Sequence, residues 1–137
     1  MDTAEYKRAF LDNHELVTSE EPPDEDGGLT FYSCDYIMTS SHQTSSGTLT
    51  VLASPGETSV KTSLKQSAEA CSDKPKYLSD NAFYCSVTQG YVTNTFLVVT
   101  TISRGQLRVA MVTAGPPPDL AHPDGYATLA KILADRL

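Results

Sequence analysis

The feature that most constrains the fold is one long β-prone stretch and its return. Residues 91–102, YVTNTFLVVTTI, are mostly β-branched or aromatic, the side chains that suit a pleated surface. Ser103-Arg104-Gly105-Gln106 follows as a tight turn, and Leu107–Thr113 resumes the pattern with Leu107, Val109 and Met111 at alternate positions. Two such runs joined by so short a turn pair antiparallel. The chain therefore carries a sheet. Its longest apolar runs, Phe96–Val99 among them, are four residues, far short of the roughly 20 that a membrane-spanning helix requires.

Other segments extend the sheet. Leu29–Met38 reads as a strand, with Tyr32, Cys34, Tyr36 and Met38 on one face and Phe31, Ser33, Asp35 and Ile37 on the other. The polar stretch TSSHQTSSG at 39–47 reads as a hairpin loop to a second strand at Thr48–Ala53. Asn81–Thr88 places Phe83, Cys85 and Val87 on one face. Gly115-Pro-Pro-Pro118 ends strand pairing, because proline lacks the donor that a ladder needs.

Three helices are expected. A short one at 3–12 has Thr3 as cap and Tyr6 and Phe10 four apart. A second at 59–71, capped by Thr58, carries Val60, Leu64, Ala68 and Cys71 as a stripe. It ends before Asp73-Lys74-Pro75. The third, at 124–135 with Asp124 as cap, shows Leu129, Ile132 and Leu133 on one face. The order is α-β-β-α-β-β-β-α. The expected fold class is α+β: a single antiparallel sheet with the helices packed on one face, since each helix has one apolar stripe to bury.

At 137 residues the chain fits one domain, 1–137. Within it, 1–28 reads as an N-terminal helix and acidic loop, and 29–137 as the α+β core. Charge divides along the same line. Ten acids fall within the first 35 residues against Lys7 and Arg8, whereas the remainder is nearly balanced. The segment 18–28, TSEEPPDEDGG, with its prolines and glycines, reads as a solvated, removable loop. A second reading makes it an electrostatic contact with a cationic partner. The overall charge of −7 argues against nucleic acid, which requires a basic stripe.

Cys34, Cys71 and Cys85 are compatible with one disulfide and one free thiol. All three are expected to point toward one layer. A helix-end cysteine can reach a strand cysteine at the Cα separation of about 5.5 Å that the bond prefers, so Cys71–Cys85 is the expected pair. It closes a loop of about 15 residues, worth roughly 3 kcal/mol in the chain-entropy model. Residues 73–80 must then fold back so that Cys71 stands level with Cys85. Cys34–Cys71 is the next candidate, and three buried thiols the remaining alternative. No Cys-x-x-Cys or nearby histidine suggests zinc.

Catalytic patterns are missing. His14, His42 and His122 are far apart, and there is no Gly-x-Ser-x-Gly, P-loop or Gly-x-Gly-x-x-Gly. Ser59-x-Lys61 and Ser63-x-Lys65 read as helix-surface pairs. Asp24-Glu25-Asp26-Gly27-Gly28 has part of a calcium loop without its later ligands. No catalytic, metal or cofactor site is assigned. Of the seven tyrosines, Tyr32, Tyr36, Tyr77, Tyr84, Tyr91 and Tyr126 suit either binding grooves or ordinary sheet faces.

The helix ending in Cys71, the Phe83-Tyr84-Cys85 strand, the paired Thr/Val-rich strands and the closing Ala-Thr-Leu-Ala-Lys-Ile-Leu-Ala-Asp-Arg-Leu helix together resemble small actinobacterial cell-envelope lipoproteins and extracytoplasmic sensor-type domains. The resemblance covers about residues 29–137. It implies helices on an antiparallel sheet, disulfides, and a lipobox or anchor preceding the domain. Thirty Ser and Thr residues among 137 fit that setting. Residues 1–28 lack the basic start and apolar stretch of a signal peptide, so export would rest on a segment upstream of Met1. The resulting expectation is a non-enzymatic, exported cell-envelope binding or sensor-type domain, whose partner is a small ligand or an envelope protein and whose only membrane contact is that anchor. The alternative is a cytosolic interaction protein of inhibitor or immunity type, contacting a basic partner through its acidic N-terminal segment.

Overall fold

A computed structural model describes Ala4 and residues 15–39, 44–55, 59–114 and 123–137. Ala4 apart, the helix expected at 3–12 lies outside the described residues, as do the three histidines, Thr58 and the polyproline segment. The elements are β1 Glu15–Glu20, β2 Asp24–Asp26, β3 Leu29–Thr39, β4 Thr44–Pro55, α1 Val60–Ala68, β5 Lys76–Ser79, β6 Ala82–Gln89, β7 Val92–Ser103, β8 Gln106–Ala114 and α2 Pro123–Arg136. All eight strands form one antiparallel sheet in the order β1-β3-β4-β8-β7-β6-β5, with β2 also on β3. The fold is α+β with a single antiparallel sheet, as the alternating strand patterns imply.

The β7–β8 hairpin turns on Arg104 and Gly105, at φ 53° and 72°. Two consecutive positive φ values make a type I′ turn, whose twist matches that of paired strands. Gly27 and Gly28, at φ 59° and 82°, do the same between β2 and β3.

The expectation that the helices share one face is wrong. α1 covers Phe83, Cys85, Val98, Leu107 and Val109 with Leu64. α2 covers Ala82, Tyr84, Leu97, Val99, Ala110 and Val112 with Tyr126, Leu129, Ala130 and Leu133. Successive residues of a strand point to opposite faces, so these two sets lie on opposite sides. The physical reason is that Ala82–Cys85, Leu97–Val99 and Val109–Val112 are apolar at consecutive positions, and a strand apolar on both faces needs a cover on each. Leu64, Leu129 and Leu133 are buried as the helical stripes imply, while Val60 and Ile132 are half-buried.

The order of elements also differs. Residues 18–28 are not a loose loop: they hold the end of β1, all of β2 and the β2–β3 turn. Glu20 pairs with Cys34 and Asp24 with Phe31. Acidic side chains are compatible with an edge strand, where the backbone pairs inward and the carboxylates stay in water. The polar stretch 44–47 likewise belongs to β4 rather than to a loop, and β5 is a further short strand. Asp124 lies in the first turn of α2 instead of capping it.

Candidate functional site

α1 starts at Ser59, whose hydroxyl accepts from the Thr62 backbone N–H at 3.2 Å. This cap satisfies one of the donors that a helix start leaves open, one residue later than the expected Thr58. Ser63, expected on the surface, is buried beside Leu64. The helix ends at Ala68 and the chain turns into Cys71, which is bonded to Cys85 with the Cα atoms 5.8 Å apart.

The fold-back that this bond needs is built from short polar side chains. Ser72 N–H donates to the Ser86 carbonyl at 2.8 Å. Asp73 accepts from Ser86 through both carboxylate oxygens, from the backbone N–H at 2.7 Å and the hydroxyl at 3.1 Å. Thr88 N–H donates to the Ser72 hydroxyl at 2.8 Å. Residues 72 and 73 thus stand in for a strand along the outer edge of β6, beyond the reach of β5. Disulfides persist in oxidising surroundings and are rare in the cytosol, and the Cys71–Cys85 link is in keeping with such a setting.

Cys34, expected in the same layer, is on the other side of the sheet. It is half-buried against the α2 cluster and carries a free thiol. A Cys34–Cys71 bridge would have to cross the sheet.

The disulfide holds α1 over β6 and leaves an open groove of about 710 Å³ between the helix and the β5 edge. One wall is Val60, Lys61, Leu64 and Lys65, and the other is Tyr77, Ser79, Asp80 and Asn81. Tyr77 sits opposite Phe83 in register and so shares the α1 face. Its ring lies 5.8 Å from that of Phe83 and is 60% exposed. The far wall is stiffened by Ser79, whose hydroxyl donates to the Asn81 side-chain carbonyl at 2.6 Å, and by Thr100 N–H donating to the Asn81 backbone carbonyl at 2.8 Å. Lys61 and Lys65 stand one helical turn apart, and neither has an ion-pair partner among the described residues. Chemically the groove offers an apolar floor, an aromatic face, two ammonium groups without an ion-pair partner among the described residues, and the Asp80 carboxylate on the facing wall.

A smaller cavity of about 310 Å³ lies on the α2 face, lined by Tyr32, Leu49, Val51, Arg108, Leu133 and Arg136 among others. Its arginines are engaged. Arg108 donates to the Leu137 backbone oxygen, docking the end of α2 on β8, and Arg136 has contacts of its own.

The remaining tyrosines divide by depth. Tyr84 and Tyr126 stack at 4.7 Å in the core, and the Tyr126 hydroxyl donates to Thr95 at 2.9 Å. Tyr91 projects fully from the β6–β7 turn, and the Tyr36 side chain lies outside the described residues. Asp24, Glu25 and Asp26 alternate along β2 instead of converging on one point as calcium ligands do. The sequence pointed to Cys71, Cys85 and Tyr77 singly. It did not mark Lys61 and Lys65 as a wall of the same groove, because the fold-back at 72–73 brings those parts together.

No protein-family model, curated protein or solved structure matches the chain. The site is therefore read from its own chemistry.

Proposed function

We propose that this is a non-enzymatic binding domain of the cell envelope, of the lipoprotein or extracytoplasmic sensor type, and that the α1–β5 groove holds its ligand. The observation that carries the reading is the pairing of an apolar, aromatic floor with two lysines that have no ion-pair partner among the described residues, in one groove. That combination suits a small amphiphile with a single anionic group: the body covers Val60, Leu64 and Tyr77, and the anion meets Lys61 and Lys65. The disulfide supports the envelope setting and keeps the groove in shape.

The experiment is a fluorescence titration with a dansylated medium-chain fatty acid. Saturable one-site binding is expected, weakened at least about tenfold by Lys61→Glu together with Lys65→Glu, since a charged contact contributes on the order of 1–2 kcal/mol. Binding that ignores these changes, or no saturable binding, would reject the groove. Fractionation of cells expressing the native reading frame checks the compartment.

A further inference from the structure

The two ends of the sheet are finished differently. β5, at one end, is four residues long, follows Pro75, starts on Lys76 and slips register between Tyr77 and Ser79. Shortness, proline, lysine and a bulge are all devices that stop an edge from accepting another strand. β1, at the other end, has none of them. It runs in unbroken register against β3 from Glu15↔Thr39 to Glu20↔Cys34, and no strand pairs with its outer side among the described residues.

What lines that edge is also specific. Val17 is 59% exposed and sits directly opposite Ile37, 39% exposed, so the two form an apolar ledge on the α1 face. Next along the chain come the exposed Glu20, Glu21, Asp24, Glu25 and Asp26. No lysine or arginine occurs between Arg8 and Lys61, so strands β1 to β4 bring no cation of their own to these carboxylates. Among the described residues, the edge offers backbone groups that no strand pairs, a ledge for one or two apolar side chains, and negative charge at one end with no cation from β1 to β4 beside it.

We propose that the β1 edge takes up an extended basic segment of a partner protein as an added antiparallel strand. Backbone pairing supplies the affinity. An aliphatic side chain rests beside Val17 and Ile37, and lysine or arginine residues fall beside Glu20 and Glu21, which set direction and register. This surface is remote in sequence from the α1–β5 groove and stands whether or not the groove binds an amphiphile.

The test is fluorescence anisotropy of the full chain with a labelled peptide, Lys-Lys-Thr-Thr-Val-Val-amide, designed to place its second lysine opposite Glu20 and a valine opposite Val17. Three controls accompany it: the same peptide with glutamate for lysine, the same peptide N-methylated at alternate residues, and the variants Val17→Lys and Glu20→Gln with Glu21→Gln. Binding of the basic peptide is expected, lost on N-methylation and with glutamate. It should weaken about fivefold in Glu20→Gln with Glu21→Gln, in line with a few tenths to one kcal/mol per exposed pair, and more in Val17→Lys. These positions are exposed, so the variants should unfold no lower than the parent, and slightly higher where carboxylate repulsion is removed. Equal binding of the N-methylated peptide would show simple charge attraction and overturn strand addition. Failure of the basic peptide to bind would overturn the proposal outright. Sedimentation of the protein alone is the last arm: self-association abolished by Val17→Lys would assign the edge to a second copy instead.

Discussion

At the scale of single residues, two side chains sit where the fold asks something particular of them. Arg104 occupies the first position of a type I′ turn at φ 53°, a region that costs a residue with a Cβ about 1 kcal/mol and that asparagine tolerates better. Arg104→Asn should raise stability by about 0.5–1 kcal/mol, read as a higher midpoint in urea unfolding. Tyr126 is fully buried and donates to Thr95, itself fully buried. Tyr126→Phe keeps the ring stacked on Tyr84 but removes the hydrogen bond donated to the Thr95 hydroxyl. A loss of about 1–2 kcal/mol is expected in the same assay. An unchanged midpoint would mean that water replaces the phenol.

Among the elements, the disulfide is the tie that positions α1. Replacing Cys71 and Cys85 together by alanine should lower stability by about 3 kcal/mol, the chain-entropy value for a loop of this length. That should lower the melting temperature by roughly 10 °C. The Ser72 and Asp73 contacts to β6 should keep α1 folded below that temperature, which far-UV circular dichroism would report. How legible each element was follows from what its residues do. Hairpin β7–β8 was plain from Ser103 to Gln106, because turn chemistry and β-branched flanks agree. Cys71–Cys85 was legible because a helix end and a nearby strand leave few geometries. The placement of helices on two faces was misread, although its signal was in Phe96–Val99: four consecutive apolar residues in a strand leave no face for water. β1 and β2 were hidden by composition, since acids next to Gly27-Gly28 look like loop when their backbone pairing is invisible. The groove was the least legible, being assembled from Lys61, Lys65, Tyr77 and Asp80 only after the chain folds back.

Across the whole molecule, charge and core are separated. Exposed carboxylates concentrate on β1 and β2, while both buried clusters centre on β6, β7 and β8. Mutual repulsion among Glu20, Glu21, Asp24, Glu25 and Asp26 is a surface effect, and salt screens it within about 10 Å at 0.1 M. Raising sodium chloride from low to physiological concentration should therefore increase the melting temperature slightly, by about 0.5 kcal/mol of stability in differential scanning calorimetry. A fall would mean that these carboxylates are compensated by cations in the folded state.

The strand order has a consequence for how the chain is made. β8, the last of the described strands in chain order, lies between β4 and β7 in the sheet. Until it arrives, β1 to β4 and β5 to β7 are two separate ribbons, each with an interior edge exposed. Leu107, Val109, Ala110 and Val112 of that one strand contribute to both buried clusters. β1 to β4 thus cannot be completed until β8 has followed them out of the ribosome. A nascent chain halted before residue 106 should stay protease-sensitive along its whole length, and release of the remainder should convert all of it in a single step.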